Sequence, residues 1–173
     1  MKAQRSLKGR ALQWLAQREQ SRSELRRKLL PHAIAESEAE AEAATAGSDV
    51  AAQSPVNRVE AVLDWLEAHN YLSHERFAES RVHARASRFG NLRIRQELKQ
   101  HQVTLSPEAA QALKDSELRR ARAVLERKFN AAPTTLAERA KQARFLSGRG
   151  FSPAVISQAL RRDGAEQHAT FDG

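Results

Sequence analysis

The stretch GFSPAVISQAL, residues 150–160, sets a serine and a proline directly before a run of apolar residues, and LSPEAAQAL (105–113) and QSPVNRVEAVL (53–63) do the same. A serine N-cap accepts a hydrogen bond from an otherwise free backbone N–H. Proline at the first helical position gives up only a donor that has no intrahelical partner. Each stretch therefore predicts a helix start. The serines at 54, 106 and 152 lie 52 and 46 residues apart, a spacing typical of helical repeat arrays.

The residues before each Ser-Pro extend the pattern. Leu29 with Ile34, Leu98 with Val103, and Leu146 with Phe151 are apolar pairs five apart, each closing a basic helical stretch. Ser-Pro follows at once after Phe151 and three residues after Val103, but about twenty residues after Ile34. One structural unit written three times, with an insertion in its first copy, accounts for the whole arrangement.

Periodicity places three helices in each copy. In the first, Leu7, Ala11, Leu12 and Leu15 mark one helix. Ser21 with Glu24 reads as a capping box that opens a second through Leu25 and Leu29, which Pro31 ends. Val59, Val62, Leu63 and Leu66 mark the third, stopping near Asn70. The second copy opens near Ser73 and carries Phe77, Ala78, Val82 and Phe89 to a C-terminal cap at Gly90. Asn91 then caps a helix with Leu92, Ile94 and Leu98, and the Ser106-Pro107 helix holds Ala110 and Leu113. In the third, Leu118, Ala121, Leu125 and Phe129 precede the loop NAAPT. A Thr135/Glu138 capping box leads through Ala143 and Leu146 to a stop at Gly148 and Gly150, and the last helix contains Ile156 and Leu160. No period-two stretch predicts a strand. The fold class is all-α, three tandem three-helix repeats over 1–72, 73–115 and 116–164, with 165–173 as a disordered tail.

Composition limits the chemistry. The chain has no Cys, so disulfides, thiolate catalysis and Cys-ligated metals are excluded, and a reducing compartment suits it. No apolar run reaches membrane-spanning length, and MKAQRSLKGR at the start lacks the apolar stretch of a signal peptide, so a cytoplasmic location and no membrane partner are expected. Residues 33–72 hold eight acidic side chains against Arg58 alone; with a whole-chain charge of +8, the rest of the chain carries +15. Nucleic acid or an acidic protein surface is the natural partner of such a charge. The segment AIAESEAEAEAATAGSDVAAQS, 33–54, poor in bulky apolar residues, reads as an inserted acidic loop able to mask a basic face.

Four blocks in order resemble the RecX family, regulators of the RecA recombinase: ALQWLAQREQSRSELRRKL (11–29), YLSHERFAES (71–80), FGNLRIRQEL (89–98) and FLSGRGFSPAVI (145–156). Two features depart from the family pattern: Ser73 and His74 stand where acidic residues usually follow Tyr-Leu, and the long acidic insertion is unusual. The resemblance implies an elongated, modular, monomeric protein that lodges in the groove of a RecA filament on single-stranded DNA. There it would inhibit ATP hydrolysis, strand exchange and filament growth. It implies direct DNA contact and no catalytic residue; no cofactor is expected, and the residues themselves favour binding without sequence preference.

The residues agree with a binding protein rather than an enzyme. No Walker loop, Rossmann fingerprint or nucleophile setting is present. The histidines, His69, His74 and His83 among them, lack the spacing of a metal site, and GRG at 148–150 reads as a helix stop. Basic rows recur in every copy: Arg18, Arg22 and Arg26 at four-residue spacing, Arg81, Arg85 and Arg88 on one helix side with Arg93 and Arg95 beyond the turn, and Arg144 with Arg149. These ten arginines are the candidate contacts for RecA or DNA. Trp14, Trp65, Tyr71, Phe77, Phe89, Phe129, Phe145 and Phe151 fall on or beside apolar faces, so phosphates or carboxylates are the expected contacts rather than stacked bases. A sequence-specific helix-turn-helix repressor, which calls for one dominant recognition helix, and a protein-only repeat scaffold remain the alternatives. Duplex DNA stays open as a second ligand.

Overall fold

The computed structural model describes residues 6–43, 53–129 and 131–161. Among them all regular structure is helical: α1 (Leu7–Leu15), α2 (Arg22–Ala43), α3 (Pro55–Ala68), α4 (His74–Ala86), α5 (Asn91–Gln100), α6 (Pro107–Asp115), α7 (Glu117–Lys128), α8 (Leu136–Gly148) and α9 (Pro153–Ala159). None of these is long and apolar enough to cross a membrane. The expected tail, 165–173, lies outside the described residues. The chain folds as two compact units, the first formed by Met1–Ser80 with Lys99–Thr104 and the second by Arg81–Leu98 with Leu105–Gly173. Helices α4 and α5 contribute residues to both.

All three Ser-Pro sites start helices, α3, α6 and α9. The Ser54 hydroxyl accepts from the Asn57 N–H and that of Ser106 from the Ala109 N–H, each at 3.2 Å. Ser152 is also an N-cap, but its hydroxyl is directed to the Glu117 carboxylate at 3.4 Å.

The five-residue apolar pairs have a physical origin in how these helices end. At Gly150, φ is +77°, and the chain closes with Phe151 N–H bonded to the Leu146 carbonyl at 3.2 Å and Gly150 N–H to that of Ser147 at 2.9 Å. This Schellman ending turns the residue after the left-handed one back against the helix, where it joins the same core. Leu146 and Phe151 are both buried. Gln102 adopts φ +58° in the second copy, with its N–H on the Lys99 carbonyl at 3.0 Å, and Leu98 and Val103 are each buried.

The first copy departs from both expectations made for it. Pro31 does not end α2, which runs on to Ala43, so residues 33–43 are helix rather than loop; 44–52 lie outside the described residues. An interior proline costs about 3 kcal/mol. Against that cost, Leu25, Leu29 and Ala33 are fully buried on either side of it, in one core with Val59, Leu63 and Leu66 of α3. A buried leucine side chain contributes roughly 1.5–3 kcal/mol. Beyond the proline, Arg58 of α3 reaches Glu36 at 3.0 Å and Glu40 at 3.1 Å. Because the helix continues, a residue five positions on lies about 140° away around it. Ile34 is accordingly 41% exposed, and Ala33 takes the inward place.

The capping boxes also differ. At α8 both halves form, Thr135 and Glu138 each binding the other's backbone N–H. At α2 only the serine half forms: the Ser21 hydroxyl accepts from the Glu24 N–H at 3.1 Å, while the Glu24 carboxylate binds Arg18.

In the second unit, Ala121, Val124, Leu125, Leu146, Phe151 and Leu160 form the core of α7, α8 and α9. Two turns meet on it backbone to backbone. Gly90 N–H donates to the Arg149 carbonyl at 2.9 Å and Leu92 N–H to that of Gly150 at 3.0 Å. A methyl at Gly90 would stand 2.3 Å from the backbone of Gly150 and Phe151. Gly90 is therefore not the cap of α4, which ends at Ala86; its carbonyl instead accepts from Ile94 at 3.2 Å, opening α5, in which Asn91 is the first helical residue. Leu92, expected on the apolar face, is 55% exposed.

Candidate functional site

The basic rows meet different fates. Arg18 lies in the turn before α2, not on a helix, so the spacing 18–22–26 does not define one face. It binds both carboxylate oxygens of Glu24, one at 3.1 Å, and the Glu19 carbonyl at 3.0 Å. Burial pushes the Glu24 carboxyl up, but the hydrogen bond and charge of Arg18 pull it further down, so it sits below the usual carboxylate range. Arg22 meets Glu60 at 2.6 Å, Asp64 at 2.7 Å and Glu67 at 2.6 Å, and Arg26 meets Glu60 at 2.8 Å. Burial works against the Arg22 charge, yet the bonds to Glu60 and Asp64 and the field of Glu67 outweigh it and hold the guanidinium charged. Arg22 and Arg26 thus fasten α2 to α3, while Arg18 ties the preceding turn to α2.

The second unit gathers arginines differently. Arg88 lies past the end of α4, so it does not extend the row of Arg81 and Arg85 along that helix. It reaches the same place from the turn: the guanidinium carbons of Arg85, Arg88 and Arg93 stand 5.7, 5.8 and 4.4 Å from the centroid of the Phe89 ring. The negative ring face attracts each cation. The acidic group within this cluster is Glu97, 3.0 Å from Arg85 and 3.9 Å from Arg93. Phe89 is thus a platform for guanidinium groups rather than plain core.

Three further arginines bind the backbone of the same turn. Arg120 donates to the carbonyls of Ala86 at 3.2 Å and Phe89 at 2.8 Å, Arg127 to that of Ser87, and Arg149 to that of Arg88 at 3.2 Å. Four successive carbonyls, from Ala86 at the end of α4 to Phe89 beyond it, thereby face cations, the arrangement the helix dipole favours. Arg149 also lies over Phe145, 4.5 Å from its centroid. Arg95 and Arg144 are exposed and make no hydrogen bond or ion pair among the described residues.

Arg120 and Arg127 escaped the sequence reading. The clue was Glu117, which shares a helical stripe with the buried Ala121 and Val124. This buried carboxylate accepts from Asn91 N–H at 3.0 Å and Ser152 N–H at 3.3 Å, serving the starts of α5 and α9 together. Arg120 beside it also binds Asn91 and the Leu113 carbonyl; burial lowers its pKa from the ordinary arginine value, with Glu117 opposing. Tyr71 likewise departs from expectation: it is 49% exposed, stacked 5.5 Å from Trp65.

The electrostatic outcome is one-sided. The first unit has twelve Lys and Arg against twelve Asp and Glu, a net of zero, and the second has seventeen against nine, a net of +8. The whole charge of the chain sits in the second unit.

Residues 73–106 match the family model of the second three-helix domain of RecX, and 115–160 that of the third. A regulatory protein RecX from Ralstonia nicotianae is 50% identical over 159 residues, spanning 90% of this chain and 87% of the relative. The chain belongs to the RecX family. A second RecX, from Neisseria meningitidis, is 35% identical over 176 residues, covering 100% of this chain and 97% of its own. The crystal structure of RecX from Lactobacillus salivarius superposes with a TM-score of 0.62 at 16% identity, over 89% of this chain and 92% of that one, which shows a shared fold. The RecX relatives are named as regulatory proteins, and this chain shares that regulatory role.

Proposed function

We propose that this chain is a non-catalytic, monomeric, cytoplasmic modulator of the RecA recombinase. It binds in the groove of the RecA filament on single-stranded DNA and inhibits ATP hydrolysis, strand exchange and filament growth. Membership of the RecX family supports the partner. The observation that carries the mode of binding is the concentration of the full +8 charge in the second unit, with three guanidinium groups about Phe89. Arg81, Arg85, Arg88, Arg93, Arg95, Arg144 and Arg149 form the contact set, and Arg18, Arg22 and Arg26 hold the first unit together. The repeat boundaries proposed are 1–72, 73–115 and 116–164. Binding compared on RecA-coated and bare single-stranded DNA, with ATP hydrolysis followed in parallel, tests this reading. Tighter association with the coated strand and falling hydrolysis are expected; unchanged hydrolysis at saturating protein contradicts it.

A further inference from the structure

Building on the reading of the second unit as the polyanion-binding part, we infer that the cluster around Phe89 is a seat for a backbone phosphate of nucleic acid, and that Glu97 is the internal anion this phosphate displaces. The two oxygens of Glu97 face different arginines, Oε2 toward Arg85 Nε at 3.0 Å and Oε1 toward Arg93 Nε at 3.9 Å. The two non-bridging oxygens of a phosphodiester present the same pair of acceptors to guanidinium forks. Arg88 completes the set: it is exposed, and its side chain lies over Phe89 with no hydrogen bond among the described residues. Three cations around one ring, with a single carboxylate paired to two of them, leave an excess of two positive charges, and neighbouring guanidiniums repel unless an anion lies between them.

Glu97 is 23% exposed at its side chain, so solvent-borne anions reach the place it occupies. Phosphate rather than protein carboxylate is the ligand that the surroundings favour. Arg95 and Arg144 extend the positive charge of the same unit without partners among the described residues. Leu92 is the one large exposed apolar residue in the α4–α5 segment of the second unit, whereas protein interfaces concentrate their affinity in buried apolar and aromatic anchors. Nucleic-acid interfaces are polar and strongly positive.

The test is binding of a fluorescently labelled oligothymidylate, without RecA, by the full chain and by Glu97→Gln, with Glu126→Gln as a control that removes the same charge from an exposed position of the second unit. Two exposed-type ion pairs released together predict tightening of about three- to tenfold for Glu97→Gln, clearly more than for Glu126→Gln. The log–log salt slope steepens by about 0.7, one further phosphate contact on a single strand. The gain disappears when Arg85→Gln and Arg93→Gln are already present. Arg88→Gln, which leaves no buried partner unpaired, weakens binding and flattens the slope, and this arm decides the matter if Glu97→Gln does not fold. Equal effects of Glu97→Gln and Glu126→Gln, an unchanged affinity in Glu97→Gln, or an unchanged affinity in Arg88→Gln overturns the inference. So does tightening seen only toward DNA-free RecA, which makes the seat one for protein carboxylates. Inhibition of RecA-dependent hydrolysis, measured separately, tells failure of this seat from failure of the regulatory reading.

Discussion

The two compact units use the same residue type for opposite ends. Arginines of the first unit face inward onto carboxylates: Arg22 alone meets three, and Arg58 holds two more. In the second, arginines face one another around Phe89 or bind backbone carbonyls, with Glu97 the acid among them. An arginine paired with carboxylates contributes cohesion and little external field. Held by carbonyls, which carry no net charge, or by an aromatic face, it keeps its full charge available to an outside anion. The net charges, zero and +8, run parallel to that difference. On the function proposed above, the first unit would serve cohesion and the second recognition.

The largest expected effects ask whether the two cores are equivalent. Leu63→Ala in the first unit, and Leu98→Ala or Leu146→Ala in the second, each remove a buried side chain. Each destabilises by about 2–5 kcal/mol in denaturant unfolding; a change under about half a kcal/mol at any of them breaks the repeat register there. Gly90→Ala is next. Its methyl meets backbone at 2.3 Å, which cannot rotate away as a side chain can, and a loss of about 3 kcal/mol is expected, read as a lower melting temperature.

Arginine-to-glutamine changes sharpen the contrast between units. Arg22→Gln leaves Glu60, Asp64 and Glu67 without their shared cation and costs about 1–3 kcal/mol, with little change in DNA binding. Arg88→Gln, exposed, stays within about 0.5 kcal/mol of the parent and weakens DNA binding instead. The reverse pattern would contradict the division between units.

Glu24 gives the first unit a pH dependence of known sign. Its pKa is depressed in the folded state. The stabilisation it contributes is therefore complete above the unfolded carboxyl value near roughly 4.3 and is lost as pH falls through the lower folded value. Acid unfolding followed by circular dichroism should show this loss in the parent and not in Glu24→Gln. The smallest expected effect is at Arg58→Gln. Amide exchange at residues 36–43, beyond Pro31, is expected to quicken while the global melting temperature hardly moves, since the Glu36 and Glu40 pairs act locally.

Sequence periodicity disclosed the helices and their three-fold recurrence because N-caps and Schellman endings are local: Ser106-Pro107 and Leu146/Phe151 carry their geometry within six residues. It misjudged Pro31 because the burial that offsets the proline comes from Val59, Leu63 and Leu66, some thirty residues away. Among the arginines, the sequence shows charge but not partner. The row 18–22–26 and the row 81–85–88 read alike, and it is the tertiary contact of Arg22 and Arg26 with Glu60, Asp64 and Glu67 that sets the first apart. Arg120 and Arg127 were hidden for the same reason: their acceptors are carbonyls of a turn more than thirty residues earlier.

The central claim, that recognition resides in the arginines of the second unit, is tested most directly by inhibition of RecA-dependent ATP hydrolysis on single-stranded DNA by a chain carrying Arg85→Glu, Arg88→Glu and Arg93→Glu, its fold verified by circular dichroism. The account predicts that this chain keeps its helicity and no longer inhibits at concentrations where the parent inhibits fully. A folded triple variant that inhibits as the parent does would contradict it.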